Sequence, residues 1–375
     1  MCYLTRTTRV LTTRTERGVV RPINSRYTSF LNPPIDFACC ISVPMAAESY
    51  YDFVVLAHQA NTIRQYKIYA LAIATLARLV PFAWRDPIPQ PLGGHYGVTR
   101  SLNDGLRRLG VRFAYAPLLH RTRARAAIVL AGLDELRAAM AWRRRGGCEL
   151  LLAGPNIVDR PEQLDGIVQS PEIDRIVLAS DKMRLIFEAA APQLAGRICV
   201  WPAGVDENYW RPTLQGARKN VLVYNKRMPR LAGRLMADLG KAGFSCENIN
   251  YGDHRKDKYR LYQFRDALDR SLACVLLTEN EPQGICATEA WSMDVPTMAY
   301  RAPGLETIDT VPYLTAATGR YWSRTEELIA LLKDAPGTAY KPRDWVLANM
   351  TDKVCATRLM TSVERACAQT GKATA

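Results

Sequence analysis

The stretch Glu281-Pro-Gln-Gly-Ile-Cys-Ala-Thr-Glu289-Ala290 decides the fold class, because it joins an apolar run to the start of a helix. The run Ala273-Cys-Val-Leu-Leu277 indicates a buried parallel strand, and the residues after Gly284 have the pattern of a helix start. The glycine is therefore expected in the turn at the carboxyl end of a strand, where open α/β sheets bind their ligands. The sequence predicts an α/β fold with a ligand site at this turn.

Two glutamates flank the glycine turn, with seven residues between them. Gly284 allows a ligand to approach the backbone closely, and the free amides of the helix from Ile285 onward can hold a phosphate. Glu281 precedes the helix and Glu289 lies within its first turns, so one carboxylate can reach each side of a bound diphosphate. The alternative is that these glutamates only complement the helix dipole.

Composition narrows the classes of partner. A chain of 375 residues is long enough for two domains, and its content of 48% hydrophobic and 23% charged residues is typical of a soluble globular protein. The net charge of +14 favours anionic partners, namely nucleotide diphosphates, acidic lipid surfaces or nucleic acid. The basic clusters at residues 121–125 and 143–145 lack interleaved aromatic residues, which argues against nucleic acid.

Cysteine usage and hydropathy indicate a cytoplasmic protein. The ten cysteines include no C-x-x-C pair, and the four histidines show no metal-ligand spacing with them. We therefore expect reduced cysteines, no metal and no tightly bound cofactor. The apolar stretch at residues 68–77 is too short to span a bilayer, and the first residues lack the pattern of a signal peptide.

Strand and helix patterns alternate twice along the chain. One series starts with a strand at 79–84, followed by a glycine loop at Gly93 and Gly94; the other starts with a strand at 220–224. This predicts two doubly wound domains facing a cleft. The predicted ranges are an N-terminal extension, basic and partly disordered, at 1–77, a first domain at 78–214, and a second domain at 220–375 whose last helix can pack back toward the first.

Three motifs occur in an order that suggests a family. They are Gly93-Gly94-x-x-Gly97-Val98, Pro202-Ala-Gly-Val-Asp206, and the pair Glu281 and Glu289 with seven residues between them. Over residues 78–370 the chain resembles the GT-B fold glycosyltransferases, closest to glycosyltransferase family 4. The resemblance implies retaining transfer of a sugar from a nucleotide-diphosphate sugar, with the donor held by the second domain and the acceptor by the first.

The resemblance also implies roles for individual residues. Glu281 would contact the donor sugar as the catalytic carboxylate, and Glu289 would contact the ribose hydroxyls. Gly284 and Ile285 would lie against the diphosphate. The glycines of the first loop, Gly93 and Gly94, would face the donor phosphate from the other side of the cleft.

The phosphate-binding pair departs from the family pattern. Lys226 falls where the family has an arginine and Leu231 where it has a lysine, with Arg230 one residue away. Lys226 can act as a point charge but not as a bidentate fork. Asn156 and His95 are candidate acceptor or pocket residues, and their alternative roles are a turn-forming asparagine and a structural histidine.

The sequence leaves alternative interpretations open for the acceptor, for residues 1–77 and for the activity. The acceptor implied by the resemblance is a glycan or a lipid-linked polysaccharide precursor, and the basic surface would allow peripheral contact with an anionic membrane. Residues 1–77 could be accessory, a start placed too far upstream, or a membrane-binding arm. The alternative functions are a GT-B sugar-nucleotide epimerase and a non-catalytic protein that binds nucleotide sugars.

Overall fold

Two parallel β-sheets with interleaved helices form the part of the chain that the computed structural model describes, residues 49–58, 94–214, 216–251, 261–305 and 309–373. Every strand pair in these ranges is parallel. Parallel neighbours need crossover connections, which the helices supply. The predicted α/β class is confirmed.

The first sheet has six strands, and β1 lies between β2 and β3 in the order β2-β1-β3-β4-β5-β6. The strands are β1 Ser49–Ala57, β2 Phe113–Tyr115, β3 Thr122–Ala131, β4 Cys148–Asn156, β5 Arg175–Leu178 and β6 Ile198–Val200. The main helices among them are α1 Gly94–Arg108, α2 Leu133–Arg144 and α3 Asp181–Ala190.

The second sheet has five strands in the order β11-β10-β9-β7-β8. The strands are β7 Asn220–Asn225, β8 Ser245–Asn250, β9 Ser271–Leu277, β10 Thr297–Tyr300 and β11 Gly319–Trp322. The helices from here to the end of the described chain are α4 Pro229–Lys241, α5 Leu261–Asp269, α6 Ile285–Ser292, α7 Thr325–Asp334, α8 Pro342–Asn349 and α9 Asp352–Ala373.

Burial in β3 shows why the first sheet is covered on both sides. Its residues 126–131 are all buried, without the alternation of a half-exposed strand. One face packs against Leu136 and Trp142 of α2. The other face packs against Val98 and Leu102 of α1. Because successive side chains of a strand point to opposite faces, an uninterrupted apolar run requires helices on both.

The last helix returns to the first sheet. Leu359 and Val363 of α9 belong to the same buried cluster as Leu102 of α1. The indole nitrogen of Trp201, just after β6, donates a hydrogen bond of 3.0 Å to the carbonyl oxygen of Cys355. The C-terminal helix therefore packs on the first sheet although it follows the second in sequence.

One predicted boundary is corrected. The sequence assigned residues 1–77 to an extension, but Ser49–Ala57 forms β1 in the interior of the first sheet. The run Phe53 to Ala57 is continuously buried, so these residues supply core that the basic composition of the preceding segment concealed. The predicted strand at 79–84, and the remainder of the predicted extension, lie outside the described residues.

Two further features bear on the chemistry of the chain. The seven cysteines in the described ranges are free thiols, and burial raises the pKa of every one of them, to about 12 for Cys148 and Cys355. No helix of the described ranges is long and apolar enough to cross a membrane.

Candidate functional site

The carboxyl ends of β7 and β9 bring a lysine and a glutamate together. The two strands are neighbours, with Asn225 opposite Leu277, so the residues that follow them emerge at the same sheet edge. Nζ of Lys226 lies 2.7 Å from Oε1 of Glu281. The hydroxyl of Thr278 donates a 3.1 Å hydrogen bond to the same carboxylate oxygen. Two residues chosen from sequence thus form an ion pair at the predicted turn.

Lys226 remains charged despite its burial. Burial of the ammonium, the largest single effect, favours the neutral form, but the Glu281 carboxylate outweighs it and the pKa of Lys226 is raised. Nζ also lies 5.4 Å from the ring centre of Tyr251, at the end of β8. A cation fixed in this way can act on a bound anion as a point charge.

Gly284 starts helix α6 in the left-handed region. Its φ is +78° and ψ is 54°, which a glycine adopts without steric cost. The amides of Ala287 and Thr288 bond to the carbonyl oxygen of Gly284, so the amide of Ile285 precedes the first bonded turn. Such amides have no partner within the helix and can bind an anion.

Glu289 lies one turn further along α6, on the same face as Ile285. The residue as a whole is half-buried, and no hydrogen bond or ion pair to its carboxylate occurs among the described residues. Burial raises its pKa to about 8, although the charge of Arg100 in α1 acts in the opposite direction. A protonated carboxyl group without a partner has both a donor and acceptors free for a ligand.

The start of α1 faces the start of α6. A Cβ placed on Gly97 would lie 3.5 Å from Cδ1 of Ile285, which is ordinary contact. Gly94 is the first residue of α1 and is exposed, whereas Gly93 lies outside the described residues. The first described turn of α1 thus lies within contact distance of the first turn of α6, whose N-terminus favours negative charge.

Asn156 ends β4 at the corresponding edge of the first sheet. It is opposite Ala131 of β3, and its side-chain nitrogen is buried without a hydrogen-bond partner among the described residues. An unsatisfied buried amide costs free energy and is expected to find a partner in the functional state. His95 lies near this edge and is exposed, with its ring 5.8 Å from that of His58, which follows β1. Desolvation of the ring, followed by the charge of His58, lowers the pKa of His95.

Arg230 does not join the cluster in this structure. It is exposed in the first turn of α4, and its side chain makes no hydrogen bond or ion pair in the described part of the chain. Leu231, at the position where the family pattern has a lysine, is partly buried and packs against the core of the second sheet. Lys226 is therefore the phosphate candidate that the fold brings to Glu281.

Sequence reasoning missed the contacts that join the glutamate loop to the first sheet. The side chain of Gln283 donates 2.7 Å to the carbonyl oxygen of Ala203 and accepts 3.0 Å from its amide. Ser180, the N-cap of α3, donates 2.7 Å to the carbonyl oxygen of Pro282. Lys182 donates 2.7 Å to the carbonyl oxygen of Asp309. Only the position of Gln283 inside the motif was a signal for these contacts.

A buried ion pair lies next to this junction. Arg100 of α1 binds both carboxylate oxygens of Asp352, the first residue of α9, at 2.6 and 3.2 Å. Asp352 is fully buried. The backbone of the intervening segment is close enough that a Cβ on Gly204 would lie 2.6 Å from the amide nitrogen of Asp352. The pair therefore fixes α1, and with it Gly97, against the C-terminal helix.

Comparisons with known proteins establish the fold. No protein-family model matches the sequence, and no curated protein matches it. Among solved structures, sucrose-phosphate synthase from Thermosynechococcus elongatus is similar with a TM-score of 0.50 and 12% identity, over 85% of this chain and 100% of that one. The fold is GT-B.

Two further GT-B structures are similar at lower scores. The catalytic domain of starch synthase IV from Arabidopsis thaliana, bound to ADP and acarbose, has a TM-score of 0.48 and 10% identity over 74% of this chain and 79% of that one. TarM has a TM-score of 0.47 and 10% identity over 64% of this chain; the match spans only 54% of the TarM chain.

Proposed function

We propose that this protein is a glycosyltransferase that moves a sugar from a nucleotide-diphosphate sugar to a glycan or lipid-linked acceptor with retention of configuration. The observation that carries the proposal is the ion pair of Lys226 and Glu281 beside the helix start at Gly284. It combines a cation, a carboxylate and free amides at the carboxyl edge of a parallel sheet, which is where such folds bind ligands. The GT-B fold supports the proposal as an analogy.

The proposed position of the donor follows from the charges of this edge. The diphosphate lies against the first amides of α6, beginning at Ile285, and against the ammonium of Lys226. Glu281 accepts hydrogen bonds from hydroxyls of the donor sugar, and Glu289 binds the ribose. The start of α1 at Gly94 closes the phosphate side of the cleft from the first sheet.

The chemistry needs a stabilised leaving group and a positioned acceptor. The acceptor hydroxyl oxygen forms a bond to the anomeric carbon, the bond from that carbon to the diphosphate oxygen breaks, and the hydroxyl proton leaves with the diphosphate. Lys226 and the helix amides offset the negative charge that develops on the diphosphate. Asn156 and His95, at the edge of the first sheet, are positioned to orient the acceptor.

A second candidate function is binding of a nucleotide sugar without turnover. The observation that favours it is Leu231, which packs against the core of the second sheet where the family pattern has a lysine. A single lysine from the second sheet suffices to hold a diphosphate but stabilises the leaving group less than two cations would, which favours binding over turnover. The two functions share the donor site and differ in whether sugar is transferred.

Thermal stabilisation by ligands tests the donor site. A panel of nucleoside diphosphates and their sugars is added to the wild-type protein, to Glu289→Ala and to Glu326→Ala, an exposed glutamate of α7. We expect at least one nucleotide to raise the melting temperature of the wild type and of Glu326→Ala, and to raise that of Glu289→Ala less. Stabilisation by none of them would refute the proposal.

Turnover then separates the two functions. The stabilising donor is incubated with a panel of glycan and lipid-linked acceptors, and released nucleoside diphosphate and glycosylated product are measured. Transfer that is lost in Glu281→Gln supports the glycosyltransferase. Tight donor binding without product on any acceptor supports the binding protein instead.

A further inference from the structure

Lys182 presents an unneutralised positive charge to the glutamate loop. It lies in the first turn of α3 and crosses to the second sheet, where its ammonium donates to the side-chain oxygen of Asn280 and, at 2.7 Å, to the carbonyl oxygen of Asp309. Both acceptors are uncharged groups. No ion pair of Lys182 is present among the described residues.

The carboxylates nearest to Lys182 are already paired with other cations. Glu281 binds Lys226 at 2.7 Å, and Asp309 binds Arg301 at 3.2 Å. Both carboxylates still act on Lys182 through space, yet partial burial prevails and lowers its pKa. A half-buried ammonium with no counter-ion is costly, which is the condition that an anionic ligand relieves.

The ammonium has capacity left for a ligand. It has three donors, and the contacts to Asn280 and Asp309 use two of them. Its position next to Asn280 puts it beside Glu281, on the loop that leads to α6. Together with the helix amides at Ile285, it adds a second cation to an edge where Lys226 is already paired with Glu281.

We propose that Lys182 is an anion-binding residue of the donor site, supplied by the first sheet, which takes an oxygen of an anionic group of the substrate. This inference rests on the proposed function and adds a second cation to it, from a helix that the sequence motifs do not include. The anionic group is either the diphosphate, which every donor has, or a carboxylate on the transferred sugar. In both cases the ligand links the two sheets through one lysine from each.

Binding measurements on matched variants test the assignment. Lys182→Gln removes the charge and keeps a hydrogen-bond donor, Lys182→Arg keeps the charge, and Lys333→Gln is a control at an exposed lysine of α7. The probes are pyrophosphate, the nucleoside diphosphate that stabilises the wild type best, and the glucose and glucuronate esters of that diphosphate. Affinities come from calorimetry at low salt, and the melting temperature without ligand is measured for each variant.

The expected result is a loss of affinity of about tenfold in Lys182→Gln, since charge-assisted hydrogen bonds are worth more than neutral ones. We expect Lys182→Arg to retain most of the affinity and Lys333→Gln all of it. A loss with every probe identifies the diphosphate as the partner, and a loss confined to the glucuronate ester identifies a carboxylate. Unchanged affinities in Lys182→Gln would overturn the assignment, including when its melting temperature falls.

The pyrophosphate arm separates this inference from the proposed function. Pyrophosphate binding that requires Lys182, without binding of any nucleotide, would overturn the proposed function and leave the anion site standing. Nucleotide binding of equal affinity in the wild type and in Lys182→Gln would overturn the anion site at Lys182 and leave the proposed function standing. Failure of every probe to bind the wild type would overturn both.

Discussion

Nζ of Lys226 lies 2.7 Å from Oε1 of Glu281, and the two residues follow adjacent strands of one sheet. The side chain of Glu281 is only 7% exposed, against 28% for Lys226. The nearly buried carboxylate of Glu281 therefore depends on Lys226 to compensate its negative charge more than the better exposed ammonium depends on the carboxylate. The pair organises the candidate site and is also a structural element of the second sheet.

Removing the lysine should destabilise the fold. We expect Lys226→Gln to lower the free energy of unfolding by about 2 kcal/mol at neutral pH, because Glu281 keeps a buried charge without its partner. The double variant Lys226→Gln with Glu281→Gln should recover part of this loss. Urea unfolding measures both. In Lys241→Gln, which breaks an exposed pair, the change should stay within about 0.5 kcal/mol, and an equal loss there would contradict the argument.

Glu289 should make stability fall as the pH rises. Its pKa is raised from 4.5 to about 8, so the folded state binds more protons than the unfolded state between these values. The stabilisation is complete below pH 4.5 and is lost as the pH rises toward 8. Glu289→Gln, which cannot ionise, should lack this slope and melt higher than the wild type at pH 8. Parallel melting curves of the two proteins from pH 5 to pH 8 would show that the carboxylate is not buried as described.

The buried ion pair between α1 and α9 should be needed for folding. Asp352→Asn leaves Arg100 only its longer carboxylate contact, with Asp104 at 3.4 Å, and we expect a loss of about 3 kcal/mol in the free energy of unfolding. The matched control is Asp181→Asn, because Asp181 is 69% exposed and pairs with Arg184 on the same helix. Chemical denaturation compares the two variants. A similar small effect in both would mean that the interior pair contributes no more than a surface pair.

Two helical glycines should respond in opposite directions to alanine. A Cβ on Gly105 of α1 would lie 2.4 Å from the carbonyl oxygen of Asp352, which is backbone and cannot move aside cheaply. A Cβ on Gly233 of α4 meets nothing within 4 Å. We expect Gly105→Ala to destabilise by about 2 kcal/mol through overpacking, and Gly233→Ala to stabilise by about 0.5–1 kcal/mol through helix propensity. A Gly105→Ala variant that melts as high as the wild type would contradict the close approach of α1 and α9.

The sequence predicted the elements whose signals are local. The run before Lys226 is β7, and the glycine at 284 begins a helix directly after the loop that follows β9. These predictions succeeded because an apolar run flanked by a left-handed glycine needs no distant partner to be recognised. The same local reading missed β1, since the apolar residues 53–57 follow a long basic segment and their partners in β2 and β3 lie at least 56 residues further on.

The candidate site shows the same difference between residues with a local sequence signal and contacts that form only by tertiary packing. Sequence identified Lys226, Glu281, Glu289 and Gly284 as neighbours in function, and the structure places Lys226 against Glu281. It did not identify Lys182, whose link to the glutamate loop exists only because α3 ends up beside Asn280. No sequence pattern distinguishes a first-turn lysine that contacts a distant loop from one that is only exposed to solvent.

By itself, the sequence determined the α/β class, the strand-turn-helix around Gly284 and the residue types available for binding a diphosphate. Periodicity and backbone preference fix these features over a few residues. The tertiary structure decided which charges meet: Arg100 with Asp352, Lys226 with Glu281, and Lys182 with no carboxylate among the described residues. Charge pairing depends on distance in space and on burial, and both arise only when the two sheets and the C-terminal helix pack together.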